Sequence, residues 1–272
     1  MSIQDRASAF HRLHAPGQLL VLPNAWDAAS ARLMESLGAA AIATTSSGLC
    51  WAHGYADGRS IPLETLVGSV AEIVRVTSLP VSVDVEAGYS PEAKRVAETV
   101  LAVIDAGAVG INLEDGSAPP ELLAAKIAAV KQAARKLGVD LFLNARTDVY
   151  LKRLTPPERA VEETIARAGR YAEAGCDGLF VPGLAETGAI RAIADAVRLP
   201  VNLMVLPQLP PVAELRACGV RRVSAGAAVC AAALGAARRA AKQLLAEGRY
   251  ESFFSEPVAY AEMNALFSTP AR

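Results

Sequence analysis

Short apolar runs rich in β-branched residues alternate with longer, alanine-rich amphipathic stretches along most of the chain. A run of this kind followed by a turn and an amphipathic stretch is typical of a strand followed by a helix. Strands that alternate with helices pair in parallel through right-handed crossovers. The apolar runs predict strands at residues 19–23, 41–45, 81–85, 109–114, 141–145, 178–181, 201–205 and 222–224.

The number of strand–helix units indicates the fold class. Eight units favour closure into an α/β fold of the (β/α)8 TIM-barrel type. An open doubly wound sheet is the alternative, but it usually has a glycine-rich turn after its first strand, where this chain has Pro23-Asn24-Ala25-Trp26. Helices are predicted at residues 28–37, 91–106, 120–137, 156–174, 186–197, 212–218 and about 227–247.

The end of the chain differs in character from the repeating units. Residues 1–248 account for the barrel and an N-terminal helix, whereas residues 249–272 contain Phe253, Phe254, Tyr260 and Phe267. A segment this apolar is not expected to stay free in solution. We predict an extra C-terminal helical segment that packs on its own barrel or, as the favoured alternative, on a neighbouring subunit.

Composition narrows the possible partners and the cellular compartment. The chain has 272 residues, a 52% hydrophobic content and a formal net charge of -1, which suits one large domain. Nucleic acid and anionic membranes call for a basic surface, so neither is expected as the main partner.

The longest apolar stretch, residues 223–237, is too short to span a bilayer, and residues 1–12 do not resemble a secretory signal. The cysteines are widely spaced, as expected of a reducing cytoplasm, and they are Cys50, Cys176, Cys218 and Cys230.

Acidic, amide and basic side chains collect at the ends of three neighbouring strand candidates. In a parallel barrel these carboxyl ends form the active-site face. Side chains alternate along a strand, so Asp84 and Glu86 are expected on one side. By the same rule, Asn112 and Glu114 share a side, as do Asn144, Arg146 and Asp148.

This concentration of charge predicts a metal site. Crowded carboxylates repel one another in a low-dielectric barrel mouth, and a hard cation removes that penalty. These strands carry no histidine, which argues against zinc or iron and favours Mg²⁺, with Mn²⁺ as a possible substitute. The alternative interpretation is structural: Arg146 would form an ion pair with Asp115 or Glu114.

The ordered set of motifs resembles the isocitrate lyase/phosphoenolpyruvate mutase superfamily, whose barrel enzymes make or break C–C or P–C bonds in 2-oxo acids with magnesium. The resemblance covers nearly the whole barrel. Its motifs are Asn24-Ala25-Trp26-Asp27-Ala28, Thr44-Thr45-Ser46-Ser47-Gly48, Gly54-Tyr55-Ala56-Asp57-Gly58, Val83-Asp84-Val85-Glu86-Ala87-Gly88-Tyr89, Leu113-Glu114-Asp115, Ala145-Arg146-Thr147-Asp148, Pro200-Val201-Asn202 and Gly219-Val220-Arg221-Arg222-Val223-Ser224.

The resemblance implies a role for each matching residue. Asp84 would bind the metal directly, and Glu86 and Glu114 would hold its waters. Asp57 would complete the acidic cluster and, together with Arg146, is a catalytic candidate. The residues implied to bind the substrate are Ser46, Ser47, Gly48, Arg146 and Asn202. The resemblance further implies a small 2-oxo acid as substrate, an enolate stabilised by the metal, and a homo-oligomer, either a dimer or a tetramer with exchanged C-terminal helices.

One loop departs from the family pattern. The isocitrate and methylisocitrate lyases carry a catalytic cysteine motif after the fourth strand, and phosphonopyruvate-acting members carry Lys and Asn there. This chain has Asp115-Gly116-Ser117-Ala118-Pro119-Pro120-Glu121 instead. We therefore expect a decarboxylase, hydrolase or lyase that acts on an oxaloacetate-like acid. The alternatives are a 2-oxo acid-binding barrel with little or no turnover and a phosphonopyruvate-type mutase or hydrolase.

Two further side chains near the predicted mouth have competing interpretations. Cys50 could act as an acid, although a free cysteine is more often a small buried hydrophobic residue. His53 could be a general acid or could simply lie on the surface of a loop. His11 and His14, in the N-terminal helix, are both expected at the protein surface.

Overall fold

The computed structural model describes residues 2–58 and 61–268. Its strands are β1 (Leu20–Leu22), β2 (Asn24–Ala25), β3 (Ile42–Thr44), β4 (Val81–Asp84), β5 (Gly110–Glu114), β6 (Phe142–Arg146), β7 (Gly178–Phe180), β8 (Val201–Met204) and β9 (Arg222–Ser224). Its α-helices are α1 (Ile3–Arg12), α2 (Ala28–Ser36), α3 (Ser46–Ala52), α4 (Leu63–Val76), α5 (Ala93–Asp105), α6 (Pro120–Lys136), α7 (Ala160–Ala174), α8 (Thr187–Ala196), α9 (Val212–Ala217), α10 (Ala228–Glu247) and α11 (Tyr260–Ser268).

All of these strands belong to one parallel sheet in the order β1-β9-β8-β7-β6-β5-β4-β3-β2. β1 and β2 are two pieces of the first predicted strand, separated by Pro23, which has no N–H group to continue a ladder. β1 pairs with β9, and β2 pairs with β3. The two pieces therefore join the opposite edges of the sheet and close the ring. The predicted barrel is confirmed, with its first strand divided.

The helices pack around the barrel through regularly spaced apolar residues. On α6, for example, Leu123, Ile127 and Val130 are buried, a spacing that places them on one helical face. Helix α7 ends at Gly175, whose φ of 101° lies in the left-handed region that glycine adopts without strain. None of the described helices is long and apolar enough to cross a membrane.

Helix α1 closes the amino end of the barrel. Phe10 is fully buried, and a Cβ atom on Gly110, at the start of β5, would lie only 2.6 Å from its ring. The His14 ring stacks on Phe142 with ring centroids 4.0 Å apart. The expected positions of His14 in the helix and at the surface are therefore wrong: it lies two residues beyond the end of α1 and is 4% exposed, because the chain after the helix turns its ring into the barrel end. Among the described residues, α1 thus covers the amino end of the barrel, opposite the carboxyl ends of the strands.

The C-terminal segment begins where α10 ends at Gly248, which again adopts a left-handed conformation, with φ 66°. Helix α11 lies against α2 of the same chain, where Arg32 Nε donates a hydrogen bond of 2.8 Å to the Leu266 carbonyl oxygen. Phe254 and Tyr260 remain 72% and 84% exposed. Packing of this segment on a neighbouring subunit stays a prediction, as does the division at residue 248; residues 269–272 lie outside the described part of the chain.

Candidate active site

A cavity of about 190 Å³ opens at the carboxyl ends of the barrel strands. One side is acidic and polar, and the other is an apolar wall made by Leu151, Phe180 and Met204. The complete lining is Asn24, Thr45, Ser46, Ser47, Asp57, Asp84, Asn112, Arg146, Leu151, Phe180, Met204, Ser224, Gly226 and Ala227. The cavity thus brings together residues from motifs spread along most of the chain.

Asp84 is the last residue of β4, and local hydrogen bonds fix its position. Its backbone N–H donates to Thr44 Oγ1 at 2.9 Å. Ser46 Oγ donates to Asp84 Oδ2 at 3.3 Å, and the backbone N–H of Glu86 donates to Oδ1 at 3.1 Å. Burial raises the pKa of Asp84, and the nearby Arg146 opposes that rise. The carboxylate is therefore held in one orientation in surroundings that disfavour its negative charge.

Glu86 reaches the site by a different route from the one predicted. Strand β4 ends at Asp84, and Glu86 adopts a φ of 49°, so strand alternation does not extend to it. A turn instead places a Glu86 carboxylate oxygen, an Asp57 oxygen and Cys50 Sγ within 4.8 Å of one another. Burial, followed by the charges of Asp84 and Asp57, raises the pKa of Glu86 to about 7. The prediction that Asp84 and Glu86 lie on one side of the same strand is wrong, because the strand ends at Asp84. The two carboxylates nevertheless lie close to each other.

The acidic cluster of Asp57, Asp84 and Glu86 fits a hard divalent cation. Its donors are carboxylate oxygens, which Mg²⁺ prefers. Glu86 Oε1 is buried and has no hydrogen-bond partner among the described residues, which leaves it available as an acceptor. The Cys50 thiol, whose pKa burial raises to about 11, stays neutral and does not change this preference for oxygen ligands.

Arg146, the last residue of β6, is both an ion-pair partner and a cavity residue. Its Nε and Nη2 atoms donate to the two carboxylate oxygens of Asp148 at 2.7 and 3.2 Å. Its Nη1 atom lies 2.8 Å from Glu114 Oε2. The predicted pair with Glu114 is thus present, but the alternative pair with Asp115 is not. Burial raises the pKa of Glu114 to about 7, although Arg146 opposes the shift.

Asp115 belongs instead to a buried cluster behind the cavity that the sequence interpretation missed. Its Oδ1 accepts the backbone N–H of Asp148 at 2.9 Å. Its Oδ2 accepts hydrogen bonds from Arg167 Nη1 at 2.8 Å and from the Tyr171 hydroxyl at 2.7 Å. The four-residue spacing of Arg167 and Tyr171 on α7 places both on one helical face and was the available signal. The cluster fixes the chain that follows β6.

The serine-rich turn is divided between the cavity and the packing behind it. Ser46 and Ser47 line the cavity, whereas Gly48 does not. A Cβ atom on Gly48 would lie 2.7 Å from Thr45 Cγ2 and 2.9 Å from Trp26 Cβ. The absence of a side chain at Gly48 therefore lets α3 approach the barrel closely. A contact of Gly48 with substrate stays a prediction.

Two other candidates lie away from the cavity. Asn202 is fully buried on β8, where its Oδ1 accepts a hydrogen bond from Ser224, and it is not part of the lining. His53 is exposed and its Nε2 lies 2.8 Å from Ser69 Oγ on α4. Asn24, which belongs to a family-like motif but was not predicted as a site residue, also lines the cavity, and its Nδ2 donates to the Thr44 carbonyl oxygen at 2.7 Å. Its neighbour Pro23 was the signal, because the strand break turns Asn24 toward the mouth.

The sequence profile of the phosphoenolpyruvate phosphomutase family matches residues 10–245. The chain belongs to this family. Its membership of the isocitrate lyase/phosphoenolpyruvate mutase superfamily, indicated by the motifs, is thereby confirmed. The superfamily comprises lyases and mutases, which supports the interpretation of this protein as an enzyme.

Individual relatives extend over most of the chain. An uncharacterised protein of Mycobacterium tuberculosis is 38% identical over 261 residues, covering 94% of this chain and 95% of that protein. An oxaloacetate decarboxylase of Bradyrhizobium is 32% identical over 225 residues, covering 80% of this chain and 78% of that protein. A protein of Burkholderia cenocepacia J2315 with a crystal structure is 43% identical in sequence. The two structures align with a TM-score of 0.84 over 89% of this chain and 99% of the Burkholderia chain.

Proposed function

We propose that this family member is a divalent-metal-dependent enzyme that cleaves a carbon–carbon bond in a small 2-oxo acid of the oxaloacetate type. The observation that carries the proposal is the single cavity in which Asp57, Asp84, Ser46 and Arg146 meet. Similarity to an oxaloacetate decarboxylase over 80% of the chain supports the reaction class. Cleavage of a P–C bond in a phosphonopyruvate-type substrate is the chemically related alternative.

The acidic cluster and Glu114 are the proposed metal site. Asp84 would hold Mg²⁺ directly, and Glu86 and Glu114 would hold its waters, with Mn²⁺ as a possible substitute. The carboxylate oxygens of these residues support this assignment, as does Glu86 Oε1, which is buried and has no hydrogen-bond partner among the described residues. When bound, the metal supplies Lewis-acid stabilisation of the negative charge that develops on the substrate's keto oxygen.

The protein's own residues would bind and orient the substrate. The hydroxyl groups of Ser46 and Ser47 face the cavity and can donate hydrogen bonds to a carboxylate. Arg146 is held by Asp148 and Glu114, so its remaining N–H groups can donate to substrate oxygens without a further ordering cost. The apolar wall would keep water away from the bond that breaks.

The direct test is turnover of oxaloacetate and related 2-oxo acids by the pure protein, first with Mg²⁺ and then with EDTA. Asp84→Ala should lower kcat/KM on the order of 100-fold or more, because the metal contributes several kcal/mol of transition-state stabilisation. Asp105→Ala, which removes an exposed carboxylate at the end of α5, is the matched control and should retain activity. Turnover that survives both EDTA and Asp84→Ala would refute the proposal.

A second candidate function, a 2-oxo acid-binding barrel with little turnover, has one specific observation in its favour. No residue of the loop 115–121 lines the cavity described here, so this loop supplies no acid or base to the site. A binding protein should show a higher melting temperature with 2-oxo acids by mass action, without consuming them. Product detected from any such acid, including phosphate or a rearranged product from phosphonopyruvate, would exclude it.

A further inference from the structure

The interior of the barrel contains a buried cation that the proposed chemistry does not yet use. Arg222, on β9, is 1% exposed and is the largest of the fully buried side chains described. Barrel interiors are usually filled by branched apolar residues. Here Arg222 lies in the interior with polar neighbours, among them Asn112 and Asn202.

Arg222 has no carboxylate within salt-bridge distance among the described residues, and its Cζ atom lies 5.8 Å from the centroid of the Phe10 ring. Among the described residues, its Nε and Nη1 atoms have no hydrogen-bond partner, and neither does Asn202 Nδ2 beside it. Its hydrogen bond to Asn112 Oδ1 is long, at 3.4 Å. Burial lowers the pKa of Arg222 to about 10, which still leaves the guanidinium charged at neutral pH. An unpaired buried charge costs stability, so its presence calls for a compensating role.

The position of Arg222 suggests that role. β9 and β5 are four strands apart in either direction around the ring, so the side chain crosses the barrel to reach Asn112. Asn112 lines the cavity, and it also accepts a hydrogen bond of 3.0 Å from Asn144 Nδ2. In the sheet register Asn112 lies opposite Asp84. The guanidinium therefore lies in the barrel interior beneath the cavity floor, between Asn112 and Phe10 of α1.

We propose that Arg222 is a positioning residue of the active site: it fixes Asn112 in the cavity floor, and its positive charge favours the anion bound above. The inference rests on the proposed function, because it assumes an anionic substrate in the cavity. Its charge acts through the low-dielectric barrel interior, where it is screened less than a surface charge would be. The stability lost by burying it is offset by tighter binding of the anion.

The test combines stability with ligand affinity in three variants. Arg222→Met replaces the guanidinium with an apolar side chain, Arg222→Lys keeps a positive charge, and Arg221→Met removes the same charge from the adjacent, half-buried residue. Oxalate with Mg²⁺ is the probe, since it is a planar dianion with adjacent carboxylates. Melting temperature and the oxalate dissociation constant are measured for each variant and for the wild type.

We expect Arg222→Met to be more stable than the wild type but to bind oxalate more weakly. Arg222→Met should raise the melting temperature by roughly 2–4 °C, because it removes an unpaired buried charge. It should weaken oxalate binding on the order of tenfold, because it removes a positive charge from the barrel interior beneath the bound dianion. Arg222→Lys should restore most of the affinity, and Arg221→Met should bind oxalate like the wild type.

Each other outcome is decisive. A lower melting temperature for Arg222→Met would show that Arg222 is structural and would overturn the inference. Unchanged oxalate affinity in Arg222→Met, or an equal loss in Arg221→Met, would overturn it as well while leaving the proposed function intact. If the wild type itself fails to bind oxalate with Mg²⁺, the proposed function fails, and the inference fails with it for that distinguishable reason.

Discussion

At the scale of single residues, the site depends on how Arg146 is held. Asp148 is fully buried, and its carboxylate accepts two hydrogen bonds from Arg146. Its backbone N–H donates a hydrogen bond to Asp115 Oδ1. Asp115 is in turn held by Arg167 and Tyr171. The sequence indicates Arg146 as a functional residue, but only the folded chain shows the buried groups that orient it.

Asp148→Asn should therefore reduce activity, although Asp148 does not line the cavity. The variant loses the charge that fixes Arg146, and misplacement of a substrate-binding group by about 1 Å can cost roughly 100-fold in rate. Steady-state kinetics, with urea unfolding to monitor stability, gives the measurement. Lys152→Met is the control, because it removes a 41% exposed partner of the same carboxylate. Similar kinetics in both variants would contradict the positioning role of Asp148.

At the scale of elements, α1 shows how a surface-like pattern can become part of the core. Phe10 of the helix and His14, two residues beyond it, face the end of the barrel, where both rings pack against Phe142 and against each other. The Nδ1–H of His14 donates to the Phe10 carbonyl oxygen at 2.9 Å, and burial lowers the pKa of His14 to about 3. The folded protein thus contains a neutral histidine that the unfolded chain would protonate.

This burial predicts an acid sensitivity of the fold. Between a pH of about 6.5 and about 3, the unfolded chain binds a proton at His14 that the folded chain excludes. The free energy of unfolding should therefore fall as the pH falls through this window, by up to about 1.4 kcal/mol per pH unit from this group. Urea titrations at several pH values measure the slope. His14→Gln should flatten it, whereas the exposed His53→Gln should not. An identical slope in wild type and His14→Gln would refute the prediction.

At the scale of the whole molecule, the C-terminal segment is the part whose packing is least complete. Helix α11 contacts α2, yet large aromatic side chains of the segment stay exposed. Exposed apolar groups of this size are typical of an interface. We therefore still predict a homo-oligomer in which this segment contributes to the contact between subunits.

Truncation after Gly248 should leave the barrel folded and reduce the assembled mass measured by light scattering. Barrel folding is checked by far-UV circular dichroism. Tyr260→Ser, which changes an 84% exposed side chain of α11, should weaken the assembly in the same direction. Leu137→Ser, at a 52% exposed position after α6, is the matched control. An unchanged mass after truncation would exclude the segment as the subunit contact.

The sequence by itself determined the barrel and indicated five of the cavity residues. Strand and helix periodicities are local properties, and parallel strands necessarily bring their carboxyl ends to one face. Asp84 and Arg146 were therefore predictable as neighbours from the strand ends, whereas Asp57, Ser46 and Ser47 were implied by the family resemblance. The structure places all five around one cavity.

Only the tertiary structure decided what each of these side chains contacts. The turn at Glu86, the pairing of Asp115 with Arg167 and the burial of His14 all depend on elements far apart in sequence. Pro23 could be read as a break, but its consequence, the closure of the ring by two short strands, requires both edges of the sheet. The buried Arg222 is the clearest case. Its hydrogen-bond partner Asn112 comes from the opposite side of the barrel, and no local pattern encodes a contact across that distance.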